Sequence, residues 1–265
     1  MKKASVIWLV LAFLIAACST VPITGRRQLS LVSAGEMQTL SYQQYGEFMK
    51  TAKLSTNKTE TEMVKRVGGR VQKAVESYFA SKGLTQQLAG YKWEFNLVQD
   101  SAVNAWCMPG GKVVVYSGLL PVTKTETGLA VVVGHEIAHA VAEHGAERMS
   151  QEMLAQLGGG VLSEVLKEKP QETKNLWMTV YGVGAQYGAL LPFSRTHESE
   201  ADHLGLIFMA MAGYDPGEAL TFWQRMAASN KGGSVPEFMS THPSDDTRIA
   251  DIKSLLPEAR TYYKK

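Results

Sequence analysis

The spacing of apolar positions changes twice along the chain: it is helical first, then alternating, then helical again. Ser33-Ala34-Gly35-Glu36 has the form of a capping box and opens a first helix. Thr59-Glu60-Thr61-Glu62 opens a second, in which Val64, Val67, Val71, Val75 and Tyr78 recur at steps of three and four and form one apolar stripe. Tyr91 to Leu97 then alternates apolar and polar residues, which predicts a strand with one buried face. Ala105-Trp106-Cys107-Met108 and Lys112-Val113-Val114-Val115-Tyr116 flank Pro109-Gly110-Gly111, the pattern of a hairpin or strand pair. From Thr123 onward the pattern is helical, with breaks at Gly158-Gly159-Gly160, Pro170, Gly213 to Pro216 and Lys231-Gly232-Gly233. Helices, a small sheet, then more helices make an α+β domain, mostly helical, assigned to residues 34–265.

Composition adds little to this. The 265 residues are 45% apolar and 20% charged, ordinary for a globular chain and unlike disordered or collagenous sequences. The first residues change the picture more. Met1-Lys2-Lys3 is a basic start, Val6 to Ala17 is a short apolar run, and Ile15-Ala16-Ala17-Cys18 looks like the lipobox of a bacterial lipoprotein. Residues 1–17 are thus expected to be a signal peptide, Cys18 the site of lipid attachment, and 18–33 a lipid-anchored tether. Ser19 after the cysteine favours the outer membrane of a Gram-negative envelope, on its periplasmic side. Arg26-Arg27 in the tether is a weak match to an anionic-lipid contact. The formal charge of +2 falls to zero without Lys2 and Lys3, so no basic excess points to nucleic acid. With Cys18 lipidated, Cys107 has no disulfide partner and reads as a small buried hydrophobe.

The chemistry lies in the helix that Thr123-Lys124-Thr125-Glu126 caps, Gly128 to Ala142. It is apolar almost all round, yet contains His135, Glu136 and His139. Buried polar groups of this kind need partners. Residues four apart lie about 40° apart around a helix and about 6 Å along it, so both imidazoles can reach one metal ion. Glu136, about 100° away, can address a water there without being a ligand. A hydrolytic zinc site needs a third protein ligand. In Ser194 to Asp202, Glu198 and Asp202 share a helix face. Glu198 is therefore assigned to the metal, and Asp202 to holding a ligand imidazole by its second N–H. Glu200, His197 and His203 read as surface or helix-packing residues, and His144 as structural.

The chain resembles the HtpX-like and CaaX-protease-like zinc metallopeptidases, family forty-eight, in the soluble lipoprotein branch. The matching residues are Val21 to Leu29, Asn104-Ala105 with Pro109-Gly110-Gly111, Gly134 to Ala140, Glu198 to Asp202, and Ser240-Thr241-His242-Pro243 with Arg248-Ile249. The resemblance implies a gluzincin-type endopeptidase with one Zn(2+) on His135, His139 and Glu198. It places the Thr241-His242-Pro243 loop near the metal. His242 then serves as oxyanion donor, as a latch in the open zinc position, or only as loop packing. Arg248 positions that loop or the oxyanion. Glu136 is the expected general base. The strands between Trp106 and Tyr116 are expected to offer an edge beside the cleft, where an extended substrate adds as a further strand. The expected function is quality-control cleavage of unfolded or misassembled envelope proteins, with the outer-membrane assembly machinery as a possible partner. The rivals are an envelope chaperone or assembly factor on the same scaffold and a cell-wall amidase.

Overall fold

The computed structural model describes residues 18–21, 23–157, 193–229, 237–242 and 246–264. The leader 1–17, Pro22, Pro243 and the breaks expected at Gly158 to Gly160, Pro170 and Lys231 to Gly233 lie outside them. The fold is mostly helical with small sheets.

Helix α1 (Ala34–Thr51) starts at the expected capping box: Glu36 N–H donates to Ser33 Oγ, and Ser33 N–H donates back to the Glu36 carboxylate. Helix α2 (Lys58–Ser81) starts earlier than Thr59, because Asn57 caps it by accepting from Glu60 N–H. Its stripe of Val64, Val67, Val71, Val75 and Tyr78 is buried. The central sheet consists of β3 (Glu94–Val98), β4 (Ala105–Met108) and β5 (Lys112–Tyr116). Strand β5 lies in the middle, antiparallel to β4 and parallel to β3. Gly110 and Gly111, both at φ +85, make the β4–β5 turn in a backbone region that favours glycine. Ala105, Cys107, Val113 and Val115 join the core built on α2, whereas Trp106, Met108, Val114 and Tyr116 pack with Met37, Tyr45 and Met149. Both faces of the sheet are therefore covered.

Helix α3 (Leu120–Thr123) is a single turn, so Thr123 ends it, and Thr125 caps α4 (Glu126–Val141) by accepting from Gly128 N–H. Every residue from Gly128 to Val141 is buried. After α4 come α5 (His144–Leu157), α6 (Arg195–Met211), α7 (Glu218–Ser229), α8 (Glu237–Thr241) and α9 (Asp246–Thr261). Helices α4 and α6 cross at two glycines. A Cβ on Gly134 would lie 2.9 Å from the Gly205 carbonyl oxygen, and one on Gly205 would lie 2.9 Å from His135 N. That close backbone approach sets the histidines of α4 beside the acids of α6.

The tether expected over 18–33 is corrected. Strands β1 (Cys18–Thr20) and β2 (Arg27–Leu29) pair antiparallel, and Val21 and Val32 are buried. Two valines removed from water, with Arg26 held by Glu147 and Glu200, fix the segment to the domain. Arg26 is thereby engaged in ion pairs instead of facing lipid. Among the described residues no helix is long and apolar enough to cross a membrane.

Candidate metal centre and active site

Four side chains from three parts of the chain converge: His135 and His139 from α4, Glu198 from α6, and His242 just after α8. One ligand atom from each lies within 4.8 Å of the others, and all four residues are buried. His139 Nε2 is 3.0 Å from His135 Nε2, which is 3.2 Å from His242 Nδ1. The Glu198 carboxylate lies 3.4 Å from His139 Nε2, 3.5 Å from His135 Nε2 and 2.9 Å from His242 Nδ1. Tetrahedral zinc, with bonds of about 2.0–2.1 Å to nitrogen, spaces its donors about 3.3 Å apart. Nitrogen and carboxylate donors at this spacing on buried residues fit zinc.

The groups around the donors are arranged to hold them. Asp202 Oδ1 is 2.9 Å from His135 Nδ1, the nitrogen opposite the one that faces the other donors. Arg248 spans the acids: Nε and Nη2 donate to Asp202 at 2.7 and 2.8 Å, and Nη1 lies 2.6 Å from Glu198. Its guanidinium stacks 3.5 Å from the Trp223 ring centroid. Burial opposes charge on Glu198, but Arg248 and His242 outweigh it and hold the carboxyl well below its usual range. Burial also works against charging His135, yet Asp202 and Glu198 raise it to about 9, so a metal that binds there displaces a proton. His139 is held neutral by burial and by His135 beside it. Glu136 follows a different rule. Burial pushes its carboxyl up, and among the described residues no hydrogen bond reaches its Oε1, which lies 3.3 Å from His242 Nε2.

The remaining residues of the α6 segment correct the sequence reading. Glu200, read as a surface or helix-packing residue, is buried, and it faces His144 Nε2 at 2.9 Å and Arg26 Nε at 2.6 Å. His144 is fully buried, with Nδ1 2.9 Å from His139 Nδ1. It is thus part of the surroundings of the metal site. His197 is buried against Glu147 at 2.9 Å, and His203 pairs with Glu258 at the surface. Glu143, at φ 60, reverses the chain between α4 and α5 and so returns His144 to His139. Phe193, also unmarked by any motif, stacks on His242 from one side while Phe238 stacks from the other.

A small cleft opens over this centre. Asn104 to Cys107 line it, β4 being a terminal strand of the sheet, and Glu136, His139, Phe193 and His242 face it. The Cys107 thiol is buried and pushed well above its usual pKa by burial, then by Glu136.

Comparison with known proteins gives this geometry a family. The model of peptidase family M48 matches residues 65–256. The chain belongs to that family. A mitochondrial metalloendopeptidase OMA1 of Schizosaccharomyces pombe is 36% identical over 91% of this chain and 67% of its own length. The Homo sapiens OMA1 metalloendopeptidase is 30% identical over 90% of this chain and 46% of its own. A β-barrel assembly-enhancing protease of Yersinia pestis is 34% identical over 61% of this chain and 34% of its own. The chain thus spans two thirds of the fission-yeast protein and less than half of the other two. Family and relatives together identify a zinc-dependent metalloendopeptidase.

Two expectations change. The HtpX-like lipoprotein branch is unsupported, since the OMA1 proteins match over more of the chain than the bacterial protease does. The outer-membrane location is contradicted: relatives from fungi, plants and animals are mitochondrial metalloendopeptidases. Lipid attachment at Cys18 and an outer-membrane assembly partner find no support in these matches.

Proposed function

We propose that this M48 endopeptidase hydrolyses exposed, extended segments of unfolded or misassembled proteins, with Glu136 as general base and His135, His139 and Glu198 as metal ligands. The observation that carries the reading is the buried Glu136 carboxylate, which shares a cleft with the converging donors and has an oxygen that no hydrogen bond reaches among the described residues. Bound zinc supplies Lewis acidity, which polarises the scissile carbonyl and acidifies water. Glu136 takes the proton of the attacking water and returns it to the leaving amine, so that water and one peptide bond become an acid and an amine. Its raised pKa makes it a stronger base than a solvated glutamate. Asp202 fixes the ring of His135, and Arg248 keeps both acids ionised. Strand β4, at the end of the sheet among the described residues, borders the cleft and would accept a substrate strand held largely by main-chain hydrogen bonds and with little side-chain selectivity.

His242 supports a second reading, as a latch. Its Nδ1 faces Glu198 and His135, which completes a set of four donors. Four protein donors are the mark of a closed zinc site, whereas a hydrolytic one keeps a position open. Withdrawal of His242 would then open the site, and its Nε2 beside Glu136 would become available to an oxyanion.

The test is cleavage of an unfolded polypeptide by zinc-loaded protein, with a chelator arm and with His242→Ala. The proposal expects chelator-sensitive cleavage, and a faster His242→Ala variant if the latch is correct. No cleavage by either protein would sink the endopeptidase reading; a slower His242→Ala variant would leave the oxyanion role in place of the latch. A chaperone on a retained scaffold instead predicts suppression of aggregation that survives Glu136→Gln with no products.

A further inference from the structure

The turn at Thr24 to Arg26 belongs to the N-terminal hairpin, yet its side chains reach Glu200, which is linked to His139 through His144. A metal held by His139 Nε2 leaves the ring hydrogen on Nδ1. That nitrogen is 2.9 Å from His144 Nδ1, so His144 accepts there and carries its own hydrogen on Nε2. His144 Nε2 is 2.9 Å from Glu200 Oε2 and donates to it. Donors and acceptors alternate along this path without conflict, and a neutral His144 completes it.

Glu200 is then held from the hairpin. Arg26 Nε donates to its Oε2 at 2.6 Å, and Thr24 Oγ1 donates to its Oε1. Arg26 Nη2 reaches Glu147 at 2.8 Å, and Glu147 also receives His197 Nε2 at 2.9 Å. The turn itself is closed by Val21 N–H on Arg26 O at 2.7 Å and Gly25 N–H on Val21 O at 2.8 Å, with Gly25 at φ +74. A buried carboxylate stripped of two of its three side-chain partners is costly to keep in place.

We propose that Thr24 and Arg26 are positioning residues of the metal centre: acting through Glu200 and His144 they fix the ring of His139, so that docking of the N-terminal hairpin sets how firmly the metal is held. This rests on the metallopeptidase reading of the site. It makes the hairpin a handle on the centre, since displacement of residues 18–29 loosens one ligand while His135 keeps its own direct carboxylate, Asp202.

The experiment measures zinc affinity by competition with a chromophoric chelator, alongside the visible spectrum of the cobalt-substituted protein and the Tm. Loss of the partner behind a metal-binding histidine weakens affinity about 10–100-fold. Arg26→Gln is expected to show such a loss and an altered cobalt spectrum, with part of the affinity restored in Arg26→Lys. Thr24→Val should show a smaller loss and keeps the question open to measurement if Arg26→Gln folds poorly. His144→Phe, which retains a buried ring, should lose at least as much as Arg26→Gln, and the double variant no more than His144→Phe alone. Lys50→Gln, at an exposed pair on α1, is the control. A lower Tm with wild-type zinc affinity and cobalt spectrum, or losses that add in the double variant, would overturn the proposal alone. A wild-type chain that binds no zinc would overturn it together with the metallopeptidase reading.

Discussion

His135 and His139 lie one helical turn apart, but they are supported from opposite sides and by different means. His135 rests directly on Asp202, and Asp202 on Arg248, all on helices of the main core. His139 meets another imidazole, His144, and the chain of contacts ends on a hairpin at the other end of the sequence. The first support is short, charged and enclosed by Trp223. The second is longer, passes through a neutral ring and reaches the partly exposed Arg26. In the proposed centre one helix thus presents a firmly held ligand and an adjustable one to the same metal.

That contrast can be broken most severely on the His135 side. Asp202→Ala leaves the Arg248 guanidinium buried with its main partner gone. Removal of one member of a buried ion pair costs about 3–5 kcal/mol. Denaturant unfolding is expected to show a loss of that size together with loss of zinc. The opposite side should yield less stability and more selectivity: Glu200→Gln is expected to weaken zinc binding by about tenfold and to lower stability less than Asp202→Ala does. Equal destabilisation by the two variants would erase the distinction.

A third change should strike both histidines together. Gly205→Ala places a Cβ 2.9 Å from His135 N, where only backbone can give way. Overpacking of this kind costs about 1–3 kcal/mol, read as a lower Tm, and the helix shift should reduce zinc binding as well. The smallest effect concerns acid. Burial opposes ionisation of Glu147, but His197 and Arg26 outweigh it and hold its pKa to about 2. Because the folded value lies below the ordinary value of about 4.3, the stabilisation is complete above that pH and is lost as pH falls toward 2. Hydrogen exchange in residues 18–29 should therefore rise over that acid range before the α4–α6 core opens.

The two sides also differed in how far they could be read from the sequence. The His135 side was legible because its signals are local: an apolar helix with His-Glu-x-x-His spacing, and Glu198 and Asp202 one turn apart on another helix. The stripe from Val64 to Tyr78 was legible by its helical period, and the strands around Gly110-Gly111 as two apolar runs flanking a Pro-Gly-Gly turn. The His139 side was not. His144 falls beside His139 only because Glu143 reverses the chain at φ 60, and no residue preference marks that turn. Arg26 and Glu200 are 174 positions apart, and neither three-residue strand of the hairpin is long enough to show alternation. Glu200 drew only a surface or helix-packing reading because helix geometry turns it away from Glu198; the hairpin that covers it comes from a segment read as a tether. The expected location rested on the leader pattern, and the mitochondrial relatives contradict it.

The central claim, that a metal held by these residues works with Glu136 as base, is tested most directly by one rate. Wild type and Glu136→Gln, each loaded with one zinc, are given the same unfolded polypeptide, and initial cleavage rates are compared. Loss of a general base typically costs about 10²–10⁴ in rate. The account predicts a fall in that range with zinc content unchanged. Equal rates at equal zinc content would contradict it.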